Sequence, residues 1–377
     1  MKKKIIRIMT SDISLDSFGK GQLKFLNKEF NVIGVSNNTG LLEEIGKREG
    51  IRTIEVPMCR EISLLSDIKC LWKLYCIFKR EKPDIVHANT PKGSLLAMIA
   101  GKVAGVKHRI YLVTGLRYEG ASGIFRVLLM MMERITCYFA TKVIPEGRGV
   151  LNTLQKDKIT SKPLKVILNG NINGIDTSYF SDEAVGISRK EMRQKLCLSP
   201  NDFTFIFIGR IVRDKGINEL IACMKELRGK CKLIIVGSFE LSKGTIYKEY
   251  ETFFNENKDI LYVGSQKDVR PYLLASDALV FPSYREGFPN VVMEAGAMGL
   301  PSIVTDINGS NEIIEDGVNG LIIPSKSAIA LLKAMNLFIQ NKNKVEQLAA
   351  CAREKICNRY ERRDLWNALL AMYKELL

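Results

Sequence analysis

Short apolar, β-branched runs alternate with longer stretches of helical periodicity along the whole chain. That alternation predicts a parallel α/β architecture, because each strand must be returned to the same edge of its sheet by a crossover helix. In the first half, strands are expected at Lys4–Met9, Val32–Val35, Thr53–Val56, Asp84–Ala88, Arg109–Val113, Lys142–Ile144 and Lys165–Leu168. In the second half they are expected at Phe203–Ile208, Lys232–Val236, Ile260–Val263, Ala278–Phe281, Ser302–Val304 and Leu321–Ile323. Between the strands, Leu64, Leu65, Ile68, Leu71, Trp72, Tyr75 and Phe78 recur at spacings of one, three and four. This spacing places them on one face of a helix, the face expected to pack on the sheet.

A Gly/Asn-rich turn at residues 169–176 separates the two series of strands. A chain of 377 residues is long for one hydrophobic core and comfortable for two. The expected fold is α/β, with two doubly wound Rossmann-like domains, residues 1–180 and 181–357, facing a central cleft. Residues 358–377 read as a helix carrying Tyr360, Leu365, Trp366, Leu369 and Tyr373, returning to the first domain.

Composition narrows the class. At 46% apolar and 26% charged residues the chain is of ordinary soluble type, and no apolar run approaches the roughly 18 residues of a membrane span. The basic-then-apolar start reads as a first strand and not a leader, because its apolar part is short and contains Arg7. Nine scattered cysteines without a Cys-x-x-Cys point to reduced thiols and a cytoplasmic setting, without disulfides or zinc. Charge is unevenly placed: Lys and Arg exceed Asp and Glu by 13 over residues 1–180 and by 2 over 181–377. The first half is therefore expected to face something anionic, a membrane surface or a diphosphate-bearing substrate. Nucleic acid is not expected, since no basic stripe is interleaved with aromatics.

The densest chemistry lies between Phe281 and Gly299. An expected strand ends at Phe281, a loop carries Glu286, Gly287, Phe288 and Pro289, and a helix starts near Asn290 with Glu294 in its second turn. Ligands of open α/β sheets bind at the carboxyl ends of strands beside helix N-termini. Glycine at 287 lets backbone amides approach a ligand, and two ionised carboxylates accept from sugar hydroxyls. A second loop, Gly209 to Gly216, carries Arg210 and Lys215, a planar fork and a point charge suited to a diphosphate. Arg213 and Asp214 read as a local solvated pair.

Together these segments resemble glycosyltransferase family 4, the retaining transferases of the GT-B fold. The resemblance rests on Glu286 and Glu294 in a Glu-x7-Glu pattern and on the Arg210/Lys215 loop. The downstream segments at Val304–Glu312 and Asp316–Pro324 also match. It is looser before residue 165, where Lys20, Gly21 and Gln22, the stretch Pro83–Gly93 and the stretch Asn173–Asp176 carry it. It implies that Arg210 and Lys215 hold the donor diphosphate and Glu294 the ribose. Glu286 and the amides around Gly287 and Phe288 would hold the donor sugar, and Pro289 and Asn290 belong to the same nucleotide-sugar site. The catalytic set is then Glu286, Arg210 and Lys215, with no cofactor and no metal, in keeping with the absence of an Asp-x-Asp. The donor implied is a UDP-sugar, with an N-acetylhexosamine as the working expectation. The acceptor implied is a lipid-linked glycan of capsule, O-antigen or related surface polysaccharide, met at the inner face of the plasma membrane.

One departure concerns the acceptor side. Many family members carry His-Gly after the fifth strand, and here Thr114 stands before Gly115. Gly21, His87, Thr114 and Asn173 are the expected acceptor-side residues, with His87 the candidate for a polar contact. Two alternatives stand beside a transferase: a sugar-nucleotide epimerase of GT-B architecture, and a non-catalytic partner subunit, against which the intact Arg210, Lys215, Glu286 and Glu294 set argues. A dehydrogenase fits poorly, since Gly19-Lys20-Gly21 lacks a third glycine and comes well after the first strand.

Overall fold

The computed structural model describes residues 2–59, 61–239 and 246–377. The chain forms two units: one runs to Gly174 and includes Arg362–Leu377, and the other is Ile175–Glu361. The first unit holds six parallel strands: β1 (Lys4–Ile8), β2 (Asn31–Ser36), β3 (Arg52–Glu55), β4 (Ile85–Ala88), β5 (His108–Val113) and β6 (Lys142–Pro145). Their order across the sheet is β3-β2-β1-β4-β5-β6. The second unit repeats the plan with β7 (Thr204–Ile208), β8 (Lys232–Val236), β9 (Ile260–Gly264), β10 (Ala278–Phe281), β11 (Ser302–Thr305) and β12 (Gly320–Ile323). Their order is β12-β11-β10-β7-β8-β9. Each is a doubly wound sheet whose order reverses once, between β1 and β4 and between β7 and β10. The strands read as continuous apolar runs because helices cover both faces. Leu233, Ile234 and Ile235 of β8 are all fully buried, as are Ala278, Leu279 and Val280 of β10.

One expected strand is absent. Lys165–Leu168 pairs with nothing; only Leu164 just before it makes a single bridge, to Val143. Pro163 has no N–H to extend a ladder, and Lys162 instead donates its Nζ to the carbonyls of Cys137 at 2.6 Å and Tyr138 at 2.8 Å. Leu168 then turns the chain at φ 49°.

The helix Leu64–Glu81 forms where periodicity placed it, but only part of the expected stripe is buried: Phe78 is, and Leu71 and Tyr75 pack against the core. Cys70, Leu74, Ile77, Phe78 and Glu81 face inward. Leu64, Leu65, Ile68 and Trp72 stand 76%, 78%, 62% and 66% exposed. Apolar residues occur on more than one face of the helix, and spacing alone cannot say which of them meet the core. At its end, burial would raise the carboxyl of Glu81, but Arg52, Lys4 and Arg80 around it lower it to about 2.

The helix Gly123–Phe139 buries Glu133, whose Oε1 accepts from the Tyr111 hydroxyl at 2.5 Å. Burial raises this carboxyl to about 7, against the lowering effect of the Tyr111 bond. A folded-state value above the unfolded one gives stability that is complete below about pH 4.5 and declines as pH rises through 7. Glu133→Gln should therefore leave thermal stability near wild type at pH 5. At pH 8 it should raise stability by up to about 3 kcal/mol. An identical melting-temperature difference at both pH values would exclude Glu133 as the titrating group.

The helix Arg362–Leu376 belongs to the first unit. It buries Leu369, Met372 and Tyr373 with Leu23, Leu26 and Phe30. Trp366 Nε1 donates to the Asn173 carbonyl at 3.0 Å. The helix Lys342–Tyr360 before it remains in the second unit.

Candidate active site

The loops after β7 and β10 leave the second sheet side by side at its reversal point, where neighbouring connections depart to opposite faces and leave room for a ligand. The first, Gly209 to Gly216, rests on the loop after β8: Ile211 N donates to the Ser238 carbonyl at 2.9 Å. A Cβ on Gly237 would lie 1.8 Å from the Gly209 carbonyl oxygen, so only glycine permits this approach. Arg210 is exposed on this loop. Lys215 closes the short 3-10 turn Arg213–Lys215 and is half-buried. Gly216 follows at φ 72° and opens the helix Ile217–Glu226, whose positive end faces the loop.

The second loop, residues 282–289, is fastened to the first. Tyr284 N donates to the Asp214 carbonyl at 2.8 Å. Arg285 pairs with Asp214 at 3.2 Å, and the Tyr284 hydroxyl donates to Glu219 at 2.5 Å. A Cβ on Gly216 would lie 2.1 Å from the Pro282 carbonyl oxygen. Asp214 thus pairs across the loops and not with Arg213, which lies 5.4 Å over the Tyr247 ring. Glu286 receives Lys215 Nζ and, at 2.7 Å, the Ser283 hydroxyl. A third loop closes from the other side: a Cβ on Gly309 would lie 2.4 Å from the Gly287 carbonyl oxygen.

Pro289 and Asn290 begin the helix Asn290–Ala297. The side chain of Phe288 is buried against Tyr360, ring centroids 5.5 Å apart, so Phe288 has only its backbone to offer a ligand. Glu294, in the second turn, retains some exposure as a residue, yet desolvation raises its carboxyl to about 7. Two cations, two carboxylates and several backbone amides therefore lie on loops and a helix joined by direct bonds. Ser283 and Gly309, which help build this arrangement, were given no role by the sequence, whereas Gly216 was placed at the start of the helix as found. A serine three residues before Glu286 was the one local signal.

The expected acceptor-side residues of the first unit fare differently. His87 is fully buried, with Nδ1 2.5 Å from the Tyr373 hydroxyl. Burial, then the nearby Arg7, push its pKa well down. It is a neutral core residue and offers no polar contact to a substrate. Asn173 holds the chain turn in place, accepting from Trp366 Nε1 at 2.9 Å and from Gln22 Nε2 at 3.3 Å. Gly21, at φ 75°, caps the helix Gln22–Asn27, and a Cβ there would lie 2.8 Å from the Trp366 ring. Thr114, at the end of β5, donates to the Asn89 carbonyl at 3.1 Å and stays half-exposed.

Residues 188–355 match the family described as glycosyl transferases group 1, and residues 19–146 match glycosyl transferase 4-like. The chain is a glycosyltransferase of these families. The transferase is 29% identical over 380 residues to the capsular polysaccharide biosynthesis glycosyltransferase CapM of Staphylococcus aureus, covering 100% of this chain and 98% of that one. It is also 29% identical over 321 residues to the UDP-Gal:alpha-D-GlcNAc-diphosphoundecaprenol alpha-1,3-galactosyltransferase of Escherichia coli, covering 82% and 80%. Its fold is that of Anabaena Alr3699/HepE, solved in complex with UDP, at TM-score 0.81, 17% identity and full coverage of both chains. Both Rossmann-like units of the transferase are thus units of the GT-B fold.

Proposed function

We propose that this glycosyltransferase moves a sugar from a UDP-sugar to a lipid-linked glycan, with retention of anomeric configuration, in the assembly of a surface polysaccharide. The observation that carries the reading is the joining of Lys215 to Glu286 across the two loops at the reversal point of the second sheet. The names of the relatives support the acceptor class, since one acts on a diphosphoundecaprenol-linked sugar. In the reaction the bond from the anomeric carbon to the diphosphate breaks. The acceptor hydroxyl bonds to that carbon from the same face, and its proton passes to the departing phosphate oxygen. Arg210, Lys215 and the start of the helix Ile217–Glu226 would stabilise charge on the diphosphate. Fixed cations and amides do this without reorganising, so no metal is required. Incubation with UDP-glucose, UDP-galactose and their N-acetylated counterparts should give transfer to an undecaprenyl-diphosphate-linked sugar in excess EDTA, with an N-acetylhexosamine as donor. Activity restored only by manganese or magnesium would contradict metal independence, and conversion of free UDP-sugar without acceptor would indicate an epimerase.

The membrane is the second part of the proposal. Among the described residues no helix is long and apolar enough to cross a bilayer. The helices Leu64–Glu81 and Gly123–Phe139 both pack on the helix Pro91–Ala104 and turn apolar faces outward. To Leu64, Leu65, Ile68 and Trp72 are added Ile124, 90% exposed, with Val127, Met131 and Tyr138. Exposed Lys69, Lys73 and Arg134 accompany them, the composition of helices that lie in an anionic interface. Each such cation near the surface adds about 1 kcal/mol, screened over a Debye length of about 10 Å. Vesicles containing phosphatidylglycerol should shift Trp72 fluorescence to the blue, and the shift should fade as salt rises. Equal binding to neutral vesicles, or none at low salt, would remove the membrane from the account.

A further inference from the structure

We infer that Ser283 is a positioning residue that, together with Lys215, commits one oxygen of Glu286 and leaves the other to receive hydroxyls of the donor sugar. The inference rests on the reading of Glu286 as the residue that holds that sugar. Ser283 follows β10, and its side chain is fully buried. Its hydroxyl donates to Glu286 Oε1 at 2.7 Å, nearer than the carbonyls of Asp214 and Arg285, both at 3.3 Å. A charged acceptor at shorter range takes the single proton. The serine is held from both sides: its carbonyl accepts from the buried Thr305 hydroxyl, and the next amide donates to Asp214.

Lys215 Nζ reaches the same oxygen, Oε1. A carboxylate oxygen has about two acceptor sites, so Oε1 is filled. Oε2 has no partner among the described residues. Its two sites suit a pair of neighbouring hydroxyls on a pyranose ring. Because an ammonium has three donors, Lys215 can keep Glu286 and still meet a phosphate. The sugar and diphosphate sites then share one lysine, while Ser283 serves the sugar alone.

The test is a double-mutant cycle of Ser283→Ala and Glu286→Ala, read as kcat/KM for the best of the four UDP-sugars above, with UDP affinity measured alongside. Ser283→Ala should lower kcat/KM by roughly tenfold with UDP affinity and melting temperature unchanged. In the Glu286→Ala background it should have no further effect. Losses that multiply, or a loss of UDP affinity and stability together, would show mere loop support and overturn the inference. If Glu286→Ala itself turned over like wild type, the reading of Glu286 would fall, and the inference with it. Ser283→Cys keeps the shape of the side chain with a slightly larger and weaker donor and carries the same cycle if the alanine variant does not fold.

Discussion

Arg210→Ala is expected to lower transfer by roughly 10²–10³-fold, the loss that follows removal of one fixed donor to charge developing in a transition state. Arg210 is exposed on the loop after β7, ahead of the helix Ile217–Glu226. Its planar fork can take two oxygens of a diphosphate at once, which a lysine cannot. UDP binding should weaken by about 2 kcal/mol, near the low end for loss of a charge-assisted pair at a site that desolvates on binding. Arg210→Lys should recover only part of either loss. The contacts of Asp214, Lys215 and Gly216 that join the loops stay in place in this variant. Turnover of the alanine variant at the wild-type rate would remove Arg210 from the chemistry.

The sheets were legible because a parallel sheet covered on both faces must be written in uninterrupted apolar runs, and short runs such as Leu233–Ile235 have no other use. Lys165–Leu168 carried a similar signature without being a strand, because its neighbours Lys162 and Pro163 decide the local path. The helix Leu64–Glu81 shows the opposite limit. Its period was plain, but which of its apolar positions meet the core depends on tertiary packing: Phe78 is buried while Leu64, Leu65, Ile68 and Trp72 face out. Arg210, Lys215, Glu286 and Glu294 could be singled out because each stands in a run ending one strand and starting one helix. The bonds joining the two loops are formed between residues about 70 positions apart, such as Lys215 with Glu286 and Asp214 with Arg285. No local pattern encodes these. His87 misled for a related reason: its partner, Tyr373, comes from the far end of the chain, as does Trp366, the partner of Asn173.

The two carboxylates should separate cleanly by ligand. Glu294 lies in the second turn of the helix Asn290–Ala297, where desolvation raises its carboxyl to about 7. Glu286 is tied to Ser283 and Lys215 on the loop. If Glu294 accepts from the ribose, Glu294→Gln replaces a carboxyl that ionises around pH 7 with a permanently neutral amide for any ligand carrying that ribose. UDP and UDP-sugar should then both bind more weakly, each by about 1–2 kcal/mol. If Glu286 accepts from the sugar, Glu286→Gln should leave UDP affinity within about twofold of wild type while lowering turnover by roughly 10²-fold. The central claim is that the reversal point of the second sheet holds a nucleotide sugar with its nucleotide and sugar parts on different carboxylates. Calorimetric titration of UDP into the wild type and these two variants tests it most directly. The account predicts weakened UDP binding for Glu294→Gln and unchanged binding for Glu286→Gln; equal loss in both, or none in either, would contradict it.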